Sequence, residues 1–197
     1  MTRLALIRHA LTEWNMARRI QGQTDVPLSP DGRRQATEWR LPASLTDVEW
    51  YSSPLSRAVE TACLLGAANA ARDARLREMS WGRWEGRRLA DLRVELGPPM
   101  AASEGRGLDF RPPGGESPRD VQVRAVSFLA DVAVRDRPAA AVSHKGFMRA
   151  VLALALGWDM KGRAPISIDW RCAQVFDLNA DGTPRPEVSQ LSLEVDR

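Results

Sequence analysis

Apolar and polar positions change period several times along the chain, and the changes mark an alternation of strands and helices. RLALIR (residues 3–8) is a short, nearly unbroken apolar run, the pattern of a buried strand. PLSPDGRRQATEWRL places Ser29 as an N-cap and Pro30 at the first helical position, which predicts a helix over 30–41. VEWYSS (48–53) reads as a second strand. SPLSRAVETACLLGAA repeats the start signal with Ser53 as cap and Pro54 at N1, and residues 55, 58, 59, 62 and 65 give it one apolar face. A third such start, Ser117-Pro118, opens a helix that turns Val121, Ala125, Phe128, Leu129 and Val132 inward. PAAAVSH (138–144) is a further strand, and GFMRAVLALALGW is a mostly apolar helix behind it. The last stretch, ISIDWRCAQVFDLNADGTPRPEVSQLSLEV, alternates around Asp181-Gly182 as a terminal hairpin would.

Strands separated by helices of this length predict an α/β fold. Its mostly parallel central sheet is flanked by helices on both faces and carries a C-terminal hairpin. With 197 residues and no internal repeat, the chain is expected to form a single domain, 1–197. The Gly/Pro-rich segment 97–118 is the one long stretch without period, and a loop over an active site explains it better than a linker.

Composition narrows the function classes. The calculated pI of 9.4 suggests nucleic acid at first, but 28 basic residues face 25 acidic ones, interspersed along the chain. The net charge of +3 therefore speaks against a nucleic-acid partner. Only Lys145 and Lys161 are lysines; the arginine and alanine bias points to a GC-rich genome rather than to a binding task. Cys63 and Cys172 lie apart, outside any zinc-type spacing, and read as reduced core thiols. MTRLALIRH holds too short an apolar segment for a signal peptide, and no window approaches the length of a membrane span. The expectation is a cytoplasmic protein with no membrane partner.

Ligands of open α/β sheets bind beyond the carboxyl ends of the strands, and both histidines of the chain, His9 and His144, stand at such ends. Either alone is well explained as a structural residue; two at equivalent strand ends favour a shared site. Arg8 precedes His9, and Arg57 falls in the first turn of a helix, where free N–H groups already favour an anion. A guanidinium fork suits phosphate because it donates two parallel hydrogen bonds. Two histidines and two arginines around one phosphate describe phosphoryl transfer to a neutral imidazole, with charge neutralised by the arginines rather than by a metal. A leaving alkoxide also needs a proton from a carboxylic acid, which composition does not select.

The motifs LIRHALTEWN, RIQGQTDVPLSPDGRRQA, SSPLSRAVETA, RLREMSWGRWEG, PPGGES and VSHKGFMRAVLAL occur in this order from about residue 3 to 157. Together they resemble the histidine phosphatase superfamily, the phosphoglycerate mutase-like group with RHG-type motifs. The resemblance implies that His9 is the phosphorylated nucleophile, that Arg8, Arg57 and His144 form the phosphate pocket, and that Asn15 contacts the phosphate with Thr12 nearby. It implies Glu78 as the proton donor, with Glu85 as second choice, and Gln21-Gly22 as the pocket rim. It implies no cofactor and no metal, a small phosphorylated metabolite as partner, and a monomer or homodimer. Two positions depart from the pattern: Ala10 stands where glycine follows the nucleophile, and Lys145 replaces the small residue after the second histidine. Alanine is costly at position 10 only if φ is positive there. Lys145 is either a solvated side chain or an added cation for a second anionic group. The segment after WEGRRLADLRVELG is short, without the basic and aromatic insertion of family mutases, so hydrolysis is expected ahead of mutase-type transfer. A weakly catalytic phospho-ligand-binding scaffold has only Ala10 in its favour. Arg106 and Arg111 are candidate extra anion contacts, and the substrate stays open, phosphatases of cobalamin assembly being one candidate.

Overall fold

The computed structural model describes residues 1–193. A run apolar on every residue can be buried only in the middle of a sheet with both faces covered, and β1 (Thr2–Arg8) takes that place. The strands run in the order β3-β2-β4-β1-β5-β6. Here β2 is Glu49–Ser52, β3 Ala71–Arg72, β4 Ala139–Ser143, β5 Cys172–Leu178 and β6 Pro184–Ser192. The first four are parallel, while β5 runs antiparallel to β1 and forms the terminal hairpin with β6. The hairpin turns through Asn179–Gly182, where Gly182 takes φ 85°. The end of the expected hairpin segment, residues 194–195, lies outside the described residues.

Alternate residues of β1 enter two apolar clusters, as a period of two requires. Leu4 and Leu6 face α6 (Pro118–Arg135) and α7 (Lys145–Leu156), meeting Phe128, Leu129, Phe147 and Val151. Ala5 and Ile7 face α2 (Pro30–Glu38) and α3 (Ser56–Leu64), meeting Ala36, Ala58 and Ala62. A short helix, α1 (Glu13–Met16), follows β1. Ser29 and Ser117 cap α2 and α6 by accepting from Gly32 N and Asp120 N at 3.0 and 3.2 Å, each cap worth about 1 kcal/mol. Among the described residues no helix is long and apolar enough to cross a membrane.

Four local expectations need correction. The helix predicted over 30–41 stops at Glu38, because Trp39 turns to extended backbone and Arg40 N–H donates to the Leu193 carbonyl at 2.8 Å. Ser53 does not cap α3; the helix begins at Ser56, with Leu55 at the cap position and no side-chain cap. The segment 97–118 is partly ordered as α5 (Pro98–Glu104), which follows α4 (Leu89–Leu96) across Gly97 at φ 54°. The cysteines are not core thiols: α3 turns Ala58, Thr61 and Ala62 inward and leaves Cys63 exposed, while Cys172 is half-buried.

Candidate active site

Parallel pairing of β1 with β4 puts Arg8 opposite Ser143, so the next residue of each strand leaves the sheet at the same level. His9 N–H donates to the Ser143 carbonyl at 3.0 Å, and the His9 and His144 rings lie 5.1 Å apart between centres. The Nδ1 of His9 stands 2.7 Å from the Ala10 carbonyl. A carbonyl only accepts, so Nδ1 carries the proton and Nε2 keeps its lone pair. Burial, then the charges of Arg57 and Arg8, hold His9 well below the usual histidine range, against the pull of the Ala10 carbonyl. His9 is therefore a neutral imidazole with a fixed tautomer.

Ala10 is compatible with this arrangement. Its φ is not positive, its side chain is buried in the core cluster with Ile7 and Leu28, and its N–H donates to Thr61 Oγ1 at 3.1 Å. The position has no need of glycine.

His144, fully buried, occupies the cap position of α7, with Nε2 2.8 Å from Ser53 Oγ. Ser53 Oγ also accepts from Leu55 N at 3.4 Å, short of the helix start, while Asp25 Oδ1 accepts from the N–H of Ser56, the first residue of α3, at 2.8 Å. Burial, with Arg57 the first of several charges, also holds His144 well below the usual range. Arg57 is fully buried at the start of α3, donating from Nη2 to the Gly22 carbonyl at 2.8 Å and from Nη1 to the Thr24 carbonyl at 3.0 Å. Burial pushes both Arg8 and Arg57 below the ordinary guanidinium range, and Glu78 is the first acidic charge that offsets it for each. Arg8 Nε, Arg57 Nε, His144 Nδ1 and Gln21 Oε1 are buried with no hydrogen-bond partner. Orphaned polar atoms are rare in folded proteins, and their concentration here marks a site built for a polar ligand.

Glu78 sits against the N-terminus of α7. Its Oε1 accepts from Met79 N at 2.8 Å and Phe147 N at 3.2 Å, and its Oε2 accepts from Gly146 N at 3.1 Å. A side chain at Gly146 would collide with it, since a Cβ there would lie 2.3 Å from Oε1. Glu85 has a different job. It accepts from the N–H groups of Gln23, Thr24 and Trp81 and from the Thr24 hydroxyl, fastening the loop whose carbonyls hold Arg57. Gly22 takes φ 58° in that loop, and a Cβ there would strike Glu85 at 2.0 Å.

The cleft above this floor has a volume of about 580 Å³. Arg8, His9, Asn15, Gln21, Gly22, Arg57, Glu78 and Lys145 lie on its wall, and His144 packs behind His9. Thr12 does not reach the wall; it is buried, caps α1 through Asn15 N at 3.1 Å, and accepts from Gln21 Nε2 at 2.5 Å. Arg106 and Arg111 are also off the wall, against expectation: Arg111 is drawn away to Asp120 at 2.6 Å, and Arg106 is exposed outside the cleft. The rim cations are instead Arg18, Arg19, Arg93, Lys145 and Arg149, facing an apolar side of Trp81, Leu89 and Phe110. Arg149 gave no sequence signal beyond its place four residues after Lys145 in one helix. Among the described residues, no three His, Cys, Asp or Glu side chains cluster as metal ligands would.

Known proteins resemble the chain in sequence and in fold. The family model described as histidine phosphatase superfamily (branch 1) matches residues 4–187. A glucosyl-3-phosphoglycerate phosphatase of Mycolicibacterium vanbaalenii is 35% identical over 169 residues, covering 79% of this chain and 74% of its own. A 2,3-bisphosphoglycerate-dependent phosphoglycerate mutase of Gloeobacter violaceus is 28% identical over 198 residues, covering 93% of this chain and 89% of its own. Among solved structures, a mycobacterial glucosyl-3-phosphoglycerate phosphatase in complex with VO3 superposes with a TM-score of 0.76 at 27% identity, over 98% of this chain and 99% of that one.

Proposed function

The chain belongs to the histidine phosphatase superfamily, and on that footing we propose that it hydrolyses a small phosphomonoester of the phosphoglycerate type through a phosphohistidine at His9. The observation that carries this reading is His9 itself: neutral, with its proton committed to the Ala10 carbonyl, and beside Arg8 and Arg57, which among the described residues make no ion pair with a carboxylate. In the first step Nε2 of His9 attacks phosphorus and the ester P–O bond breaks. Arg8, Arg57 and His144 take the charge on the equatorial oxygens, and Glu78 gives its proton to the leaving alkoxide. In the second step water attacks the phosphohistidine, Glu78 recovers a proton from that water, and inorganic phosphate leaves. Asn15 and Gln21 complete the pocket around the phosphoryl group, Thr12 acting on it through both of them. The named phosphatase relatives make a glycosylated phosphoglycerate the first substrate to try, and the Trp81–Phe110 wall, with rings 5.4 Å apart, offers an apolar face to a sugar ring.

The test is hydrolysis of p-nitrophenyl phosphate in chelator by the wild-type protein and by His9→Ala. Turnover by the wild type and a loss of about a thousandfold or more in the variant are expected. Equal rates would remove the phosphohistidine. A coupled assay for phosphoglycerate isomerisation with added bisphosphoglycerate runs alongside, and robust turnover there would replace hydrolysis by mutase-type transfer. A panel of phosphorylated metabolites then identifies the substrate.

A further inference from the structure

A guanidinium drawn out of water needs a counter-charge or a full set of acceptors, so the less exposed arginines of a protein report where anions sit. Among the described residues five arginines are buried or half-buried: Arg8, Arg57, Arg75, Arg124 and Arg149. Arg75 lies against Asp73 and Asp131, and Arg124 lies against Glu116. The other three have no carboxylate within ion-pair distance, and all three line the cleft. The phosphoryl group accounts for Arg8 and Arg57. Arg149 is left over.

Its neighbour on α7 is Lys145, one turn earlier and on the same helix face, also on the cleft wall and also without an acidic partner. Each is steadied by an indole instead. Lys145 Nζ lies 5.1 Å from the centre of the Trp170 ring, and Arg149 Cζ lies 5.1 Å from that of Trp158. A ring face holds a cation in place while leaving its charge to act elsewhere. Burial lowers the pKa of both groups, and the charges of Arg8 and Arg149 lower Lys145 further while Glu78 opposes them, so this part of the wall is a positive field.

We propose that Arg149 and Lys145 form a second anion subsite, which takes the carboxylate of a phosphoglyceric ester while Arg8 and Arg57 hold its phosphoryl group. The assignment rests on the phosphomonoesterase reading and names which part of the substrate this chain's own residues recognise. Four helical residues set Arg149 about 6 Å beyond Lys145 along the axis, on the wall of the same cleft that Arg8 and Arg57 line. The planar fork of Arg149 suits the two oxygens of a carboxylate, and Lys145 adds a point charge between the two anionic groups.

The discriminating experiment compares 3-phosphoglycerate with glycerol 3-phosphate, which carries the same kind of phosphoester but a hydroxymethyl group in place of the carboxylate. The comparison is made as kcat/KM for active protein and as Kd by calorimetry for His9→Ala protein. The wild type is expected to favour the acid by about tenfold or more. Lys145→Gln and Arg149→Gln should each erase about tenfold of that preference, chiefly through KM, with part of it kept in Arg149→Lys. A wild type that treats the two ligands alike in turnover and in binding overturns the subsite, as do variants that lose equally on both. If Arg149→Gln melts out, Lys145→Gln decides alone, since Lys145 is the more exposed of the two. Turnover of neither ester with the binding preference intact would sink the hydrolase reading and leave the subsite standing.

Discussion

The floor of the cleft and its rim are both cationic, but they are held by different kinds of contact. On the floor most anchors are main-chain atoms, the hydroxyls that hold His144 and Gln21 being exceptions. Arg57 donates to two carbonyls, His9 to one, and Glu78 accepts from three N–H groups. At the rim most anchors are side chains: Glu104 holds Arg93 at 2.7 Å, Trp170 faces Lys145, and Trp158 faces Arg149, while Arg19 bonds the Gly86 carbonyl at 2.8 Å. A point substitution can delete a side-chain anchor but not a carbonyl. The chemistry is thus tied to the path of the chain, whereas the recognition of what carries the phosphate is tied to exchangeable residues.

The sharpest way to break that contrast is at Glu78. Glu78→Gln should slow hydrolysis of alkyl phosphates by about a thousandfold and of p-nitrophenyl phosphate far less, because a poor leaving group depends most on the acid. The amide also turns an NH2 toward the donor Gly146 N, so leaving-group dependence, rather than the rate alone, is the readout. Uniform slowing would remove the acid role from Glu78.

Arg57→Met should cost about a hundredfold in kcat/KM, and it carries a pH signature. Because His9 lies below the usual histidine range, its neutral imidazole persists below pH 6.5, and the acid limb of kcat/KM is expected there. Burial is the larger cause and stays, but removing the Arg57 charge should move that limb upward. The same shift governs stability. Below pH 6.5 the unfolded histidines bind protons that folded His9 and His144 refuse, so the wild type should lose stability as the pH falls through that window. Thermal melts from pH 7 to 5 read the slope, which Arg57→Met should flatten.

Gly146→Ala probes the floor more gently. It should slow turnover by about tenfold on poor leaving groups by displacing Glu78, while leaving the melting temperature unchanged or slightly higher, since alanine favours the helix by up to about 1 kcal/mol. The smallest effect is expected at Ala10. With ordinary backbone and a buried methyl group there, Ala10→Gly should leave the rate within about twofold and cost about 1 kcal/mol of stability. A rate gain of tenfold would show that the floor tolerates alanine only at a cost.

These contrasts also explain what was legible in the sequence. The β1 strand, the starts of α2 and α6 and the hairpin turn are local matters of apolar period, Ser-Pro starts and an Asp-Gly turn, and they appear where the pattern puts them. The start of α3 is set at a distance: Asp25, 31 residues away, accepts from the Ser56 N–H, and no local pattern records that. In the segment 97–118, Gly97 and Pro98 were a helix stop followed by a helix start, masked by the glycines and prolines around them. The site residues met through ordered motifs. Arg149, by contrast, is one of 26 arginines, and only tertiary burial separates it from the rest.

The two ends of the excursion that carries Trp81, Arg93, Glu104 and Phe110 are closed on each other. Glu116 N–H donates to the Ser80 carbonyl at 2.9 Å, and Ser80 N–H donates to Glu116 Oε2 at 2.8 Å. Arg124 clamps this neck from α6, bonding Glu116 and the carbonyls of Arg75, Arg77 and Glu78. The segment between residues 80 and 116 is thus a closed excursion, but it carries Glu85, whose carboxylate fastens the loop that holds Arg57, so an exchange has to keep Glu85 and can vary the rim residues around it. A graft cut at that neck with Glu85 retained would leave both the Arg124 clamp and the Arg57 loop in place, and a graft cut elsewhere would have to rebuild the clamp.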